Sequence, residues 1–215
     1  MKYLSIAAQS KKLMGSLSLT LLFISLSLQV LACSCRPPSP LTIEEFLNAD
    51  LVFEGKIVKV ETDKEGHMKT ITFDITKNYK TPKRMTTVAI TTAGSSAACG
   101  LTVEEGQAWY IWANKNEESG AYSAGICSRS LQMADDVSER YYKRYNSEVE
   151  LINSLKAKRG KQRLELSSGT AEGKMKKGQR CGKWKYYDTS GTLTKTCRFK
   201  KGIEVSCVEA PAPTM

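Results

Sequence analysis

The sequence predicts a mainly β protein: a closed barrel or sandwich of about five short strands with flanking helices, followed by a small C-terminal antiparallel β-hairpin module. Two observations carry this. Apolar and polar residues alternate through 51–60 (LVFEGKIVKV) and 70–76 (TITFDIT), the period-two pattern of half-buried strands. Further on, Met175-Lys176-Lys177-Gly178 returns 24 residues later as Phe199-Lys200-Lys201-Gly202, and periods of this length mark stacked small units.

At the start of the chain, Lys2, Lys11 and Lys12 precede an uncharged run from Leu13 to Ala32. A basic segment, an apolar segment and small residues at a cut, here Val30 and Ala32, make residues 1–32 a secretory signal peptide. Cleavage after Ala32 leaves Cys33-Ser34-Cys35 as the mature N-terminus. Leu31-Ala32-Cys33 also fits a bacterial lipobox, which would put a lipid on Cys33, although Gln29 suits that motif poorly. The expected location is therefore extracytoplasmic, secreted or periplasmic, with lipid anchoring at Cys33 as the alternative. The whole chain carries +10, and removing the three leader lysines leaves +7. That charge is well mixed and lacks a dense arginine stripe, so no nucleic-acid partner is expected. Membrane contact is expected only through the signal peptide or a lipid on Cys33.

The barrel elements follow in order. Thr42 to Asn48 reads as a short helix. The strands at 51–60 and 70–76 are joined by the turn Asp63-Lys64-Glu65-Gly66 and form a hairpin. Thr86 to Thr92 and Trp109 to Ala113 are β-branched or aromatic runs, and Ala121 to Ile126 completes the set after a polar loop from Asn114 to Gly120. After Ser130 the period changes: Val137, Tyr141, Tyr145, Val149, Ile152 and Leu155 recur at three and four residues, an amphipathic helix lying as a lid on the barrel. The first domain spans 33–158.

Lys156 to Arg163 (KAKRGKQR) is charged and lacks apolar side chains other than Ala157, so it reads as a basic linker. Residues 159–207 form the second module, in which Gly182 to Tyr187, Asp188 to Gly191 and Thr192 to Phe199 read as strand, turn, strand. The pattern resembles MORN-type repeats of bacterial exported proteins, whose unit runs G-x-W-x-x-Y, turn, G-x-L, then Y/F-K-x-G. Cys181 and Cys197 lie almost opposite each other about the Ser190 turn, which makes a cross-strand disulfide feasible and leaves Cys207 over. Residues 208–215 read as a disordered tail.

All seven cysteines follow the cut. In an oxidising compartment they are read first as disulfides, and paired C-x-x-C zinc spacings are missing. His67 is the single histidine, so no zinc site with two or more histidines can be built, and in an oxidising space the cysteines are poorly available as nucleophiles for a Cys-His dyad. The acidic pairs Glu44-Glu45, Glu104-Glu105 and Asp135-Asp136 read as solvated faces or a helix N-terminus. No enzyme activity, cofactor or resident metal is expected.

Residues 33–155 resemble the netrin-like module, and most closely the N-terminal domain of the tissue inhibitors of metalloproteinases. That family begins its mature chain Cys-x-Cys-x-Pro, here Cys33-Ser34-Cys35-Arg36-Pro37. A later C-N-S-D-L-V stretch corresponds to Leu47-Asn48-Ala49-Asp50-Leu51-Val52, with Leu47 in place of a cysteine, and two further cysteines match Cys99 and Cys127. The resemblance implies an OB-fold-like five-stranded barrel with Cys33–Cys99 and Cys35–Cys127 disulfides. Each closes a loop of more than 60 residues, which removes several kcal/mol of unfolded-state freedom in the loop-entropy model. It implies inhibition of a zinc metalloprotease by a wedge of Cys33, Ser34 and Cys35. In that wedge the Cys33 amine and carbonyl bind the protease zinc and Ser34 enters the adjoining pocket. A second contact loop, Ser96, Ala97 and Ala98, lies before Cys99. The alternative is a non-inhibitory envelope protein or lipoprotein whose barrel and hairpins bind another molecule.

Overall fold

The computed structural model describes residues 33–82, 84–134 and 138–211. Residues 1–32, where a signal peptide is expected, Lys83, Asp135-Asp136, Val137 and the last four residues lie outside them. The chain divides into a unit ending at Cys33 and a unit running from Ser34 onward, and every element below belongs to the second.

Five strands close into a barrel. They are β1 (Leu51–Thr62), β2 (Met68–Lys80), β3 (Thr87–Ala93), β4 (Ala108–Lys115) and β5 (Tyr122–Ser123). Their order is β1-β2-β3-β5-β4, and β1 pairs back onto β4. Only the β3–β5 pairing is parallel, and β6 (Leu131–Gln132) is appended to β4. Closure depends on β1. Its first half pairs with β4 on one side while its whole length pairs with β2 on the other, and three register shifts bend it around the barrel; bulges increase strand bend and twist. One of these shifts falls at Gly55, where a Cβ would meet Asp74 O at 2.8 Å and the Phe53 ring at 2.9 Å. The expected strand from Ala121 to Ile126 shrinks to the two residues of β5.

Alternation along β1 and β4 sends Leu51, Phe53, Trp109 and Ile111 into the barrel with Ile71, Phe73 and Ile90. Val52, Tyr110 and Trp112 go to the outer wall, where α1 (Ile43–Asn48) contributes Phe46 and α2 (Glu139–Ala157) contributes Ile152 and Leu155. Burial on both faces explains why β4 reads as the unbroken apolar run Trp109 to Ala113. The long helix therefore packs on the barrel wall beside α1, not over an end as a lid, and Tyr141 of its expected apolar stripe is exposed.

The second module is larger than a hairpin. β7 (Arg159–Leu166), β8 (Gly169–Lys176), β9 (Gln179–Tyr187), β10 (Leu193–Lys200) and β11 (Ile203–Glu209) form a five-stranded antiparallel meander. The repeated Lys-Gly pairs are its turns. Lys177 and Gly178, and again Lys201 and Gly202, all have positive φ, as two-residue hairpin turns of type I′ require. Trp184 fills the centre of this sheet, and Gly173 lies opposite it because a Cβ there would come within 2.3 Å of the indole.

Lys156 to Arg163 is not a linker but the end of α2 and most of β7; β7 presents basic residues outward and buries only Leu164 fully. Val208 and Glu209 are not tail residues, since they pair with Thr196 and Lys195. Cys197 is bonded to Cys207, which lies directly across on β11, and Cys181 is free. Cys181 is opposite Lys174 on the other neighbour of β9, out of register with Cys197, which faces Trp184.

Candidate functional site

The residues from Cys33 to Leu41 contain no helix or strand, so their position depends on attachments. The first is the Cys35–Cys127 disulfide, spanning 92 residues with Cα atoms 5.1 Å apart. Cys127 is itself fixed to the barrel wall. The Trp112 backbone N–H of β4 donates to Ser130 Oγ at 3.0 Å, and Ser128 Oγ donates to the same hydroxyl at 2.8 Å. Cys33 and Cys99 are each disulfide-bonded.

The second attachment is Arg129, only 5% exposed. Its Nη2 donates to the carbonyl of Ser39 at 2.8 Å and to Glu45 Oε2 at 2.6 Å, while Nε donates to Glu45 Oε1 at 2.8 Å. Its Nη1 donates to Glu148 Oε1 at 2.9 Å, and Glu148 is 1% exposed. Burial alone would lower the guanidinium pKa, but hydrogen bonds and the charges of Glu45 and Glu148 outweigh it and hold Arg129 firmly protonated. One side chain thus ties the N-terminal segment to α1 and α2. Ser34 and Arg36 remain exposed at the surface.

The expected second loop is a 3-10 turn, Ser96–Ala98, all three residues exposed. Ser95 caps it by accepting from Ala98 N–H at 3.3 Å, and Cys99 leaves it in a left-handed conformation with φ 66°. Gly100 must follow, since a Cβ there would lie 1.9 Å from Ala93 O. The Cys99 carbonyl accepts from Ile126 N–H at 3.0 Å. The structure therefore joins Cys35 to Cys127 and sets the Cys99 loop against the residue preceding Cys127.

Arg129, Glu45 and Glu148 were not legible as a site in the sequence. The available signal was Glu148 itself, a carboxylate inside the apolar stripe between Tyr145 and Ile152, which requires a buried cation as partner. Glu45, although exposed, is fixed by Arg129 and so is not a merely solvated acid; Glu104 and Glu105 are exposed, and Glu105 Oε1 accepts from Val60 N–H at 3.1 Å. His67 is also exposed, in the β1–β2 turn, with its backbone N–H on Asp63 Oδ1 at 2.7 Å.

Tyr145 and Tyr79 both donate to Glu54 Oε1, and Lys77 lies 3.2 Å from it. Burial raises the Glu54 pKa, but these bonds outweigh it and hold the carboxyl below its ordinary value. The cluster is closed on itself and joins α2 to the barrel.

A cleft of about 480 Å³ lies on the inner face of the second sheet beside α1, lined by Leu47, Trp184, Tyr186, Arg180, Glu44 and Glu204 among others. At its edge Cys197 and Cys207 have Glu204 nearby, but their sulfurs are spent in the disulfide.

The family model described as Tissue inhibitor of metalloproteinase matches residues 31–150. The match takes in the N-terminal segment, α1, the whole barrel and the first part of α2.

Proposed function

Because the chain belongs to the tissue inhibitor of metalloproteinase family, a family of inhibitors and not of enzymes, we propose that it inhibits zinc metalloproteases through its N-terminal wedge. Family membership and disulfides support a site of action outside the cell. The α-amino nitrogen of a mature Cys33, with that residue's carbonyl oxygen, occupies the open coordination position of the protease zinc. A free α-amino group has a pKa of about 7.7 to 8.0, so the metal displaces its proton readily near neutrality. Ser34 enters the adjoining pocket, Ser96 to Ala98 form the second contact, and Cys33 is bonded to Cys99.

The observation that carries this reading is the double anchoring of an otherwise irregular segment, by Cys35–Cys127 and by Arg129 on the Ser39 carbonyl. A segment held in advance loses little conformational entropy on docking. The test places one alanine before Cys33. The amine becomes an amide that cannot bind zinc, so inhibition of a metalloprotease panel should vanish with the fold intact, while Ser34→Gly should weaken it by a smaller step. Equal inhibition by extended and native chains would exclude the zinc-binding amine.

The cleft beside α1 favours a second reading, in which the five-stranded meander binds a ligand of its own in an envelope protein or lipoprotein. Intact mass separates the two, since inhibition needs a free amine at Cys33 and a lipoprotein carries acyl groups there.

A further inference from the structure

The second sheet holds nearly all of the net charge. Residues 159–209 contain thirteen Lys and Arg against five Asp and Glu, whereas residues 33–158 contain sixteen against seventeen. Strand alternation then sorts that charge onto one face. Leu164, Ala171, Met175, Trp184, Cys197 and Phe199 are buried toward α1. The residues between them are outward and mostly basic, with Lys161, Arg163, Lys174, Lys183, Lys185 and Arg198 all exposed.

The register lays these cations side by side. Lys161 is directly opposite Lys174, and Lys183 is directly opposite Arg198. Like charges facing each other across a sheet are destabilising, so folding alone gives no reason for the arrangement. Of these six, only Arg163 has a carboxylate within 4.0 Å among the described residues, from Glu172 and Glu165. Strands sit about 4.8 Å apart and same-face neighbours about 7 Å apart, so the four strands β7 to β10, which carry all of these cations, present a plane of charge roughly 15 Å wide.

We propose that this outward face lies flat on a membrane of anionic phospholipid. A plane of lysines complements a plane of phosphates, whereas a linear polyanion is better held by a groove that tracks its backbone; the cleft of this sheet opens on the other face. The opposing surface also relieves the repulsion between Lys161 and Lys174 that folding leaves standing. Each basic side chain near an anionic leaflet contributes roughly a fivefold factor in affinity.

The test is co-sedimentation of the protein with vesicles of phosphatidylcholine alone and of phosphatidylcholine with phosphatidylglycerol. The readout is the difference, because an apolar attachment, whether leader or acyl chain, serves both equally. Binding should favour the anionic vesicles and fall as salt is raised. Replacing Lys174, Lys183 and Lys185 by Gln should lower anionic-vesicle affinity on the order of a hundredfold. Replacing the exposed barrel residues Lys56, Lys64 and Lys115 by Gln should lower it far less. Equal binding to both vesicle types, salt-independent binding, or an equal loss from the barrel substitutions would each overturn the proposal. Retention on dextran sulfate with no vesicle binding would overturn it in favour of an anionic polysaccharide.

Discussion

The carbonyl oxygen of Ser39 accepts a hydrogen bond from Arg129 at 2.8 Å, through a guanidinium that also holds Glu45 and the buried Glu148. Removing Arg129 leaves Glu148 buried with only the more distant Arg144, whose Nε lies 3.8 Å from Oε1, and breaking a buried pair in this way costs about 3–5 kcal/mol. Arg129→Ala should therefore destabilise the protein by that amount in urea unfolding and release the segment from Ser34 to Ser39 to proteolysis. Arg129→Lys, lacking the fork that spans Glu45, should recover only part of the loss. A change under 1 kcal/mol for Arg129→Ala would mean that the Cys35–Cys127 bond alone positions the segment.

Leu47 is 6% exposed and packs on the core of the second sheet, while the adjacent Phe46 packs on the barrel wall. Truncating a buried leucine costs about 2–5 kcal/mol. Leu47→Ala should loosen the second sheet selectively, so that trypsin cuts between Lys156 and Arg163 before it cuts the barrel. Unchanged proteolysis would show that the sheet holds without this contact.

Lys80 carries the pH dependence. Its ammonium donates to the carbonyls of Phe46 and Leu47 at 3.1 and 2.8 Å, and burial, reinforced by Arg180, pulls its pKa down to about 8. The unfolded lysine titrates near 10.4. Between these values the unfolded chain binds the proton that the folded chain has released, so this contribution to stability rises with pH from about 8 to about 10.4 and is flat below. Denaturation at pH 7.5 and 9.5 should show native protein gaining relative to Lys80→Met. A difference that does not change with pH would refute the shift.

Thiol chemistry checks the C-terminal pairing. Native protein should show one reactive thiol, from Cys181, and Cys181→Ser should show none. The Cys197–Cys207 bond spans ten residues, so the loop-entropy model assigns it roughly 3 kcal/mol. Cys207→Ser should cost about that much and leave Cys197, 1% exposed, slow to react.

The barrel was legible because Leu51 to Val60 and Thr70 to Thr76 each bury alternate residues, which writes their period into the chain. The Cys35–Cys127 bond was implied by the family resemblance, whereas spacing about the Ser190 turn pointed to Cys181–Cys197 and missed Cys207, which lies across from Cys197 on β11. Other features failed for identifiable reasons. In β7 the outward residues are Lys161, Arg163 and Glu165 and the inward Gln162 is polar, so a strand looked like a linker. In β11 every residue is exposed, which removes the alternation that would have extended the sheet to Glu209. Glu45 and Glu148 use the same carboxylate as any surface acid, and only the fold reveals Arg129 between them.

The short helix α1 has a consequence for inheritance. Its last carbonyls are divided between the two modules, Phe46 and Leu47 accepting from Lys80 while Leu47 also accepts from Arg180 of β9. Leu47 fills the second sheet at the position where the family has a cysteine. A stop codon after α2 would strip Leu47 and Asn48 of their neighbours, so the meander is no detachable cassette. Grafting it onto another barrel would have to carry residues 46–48 along with it.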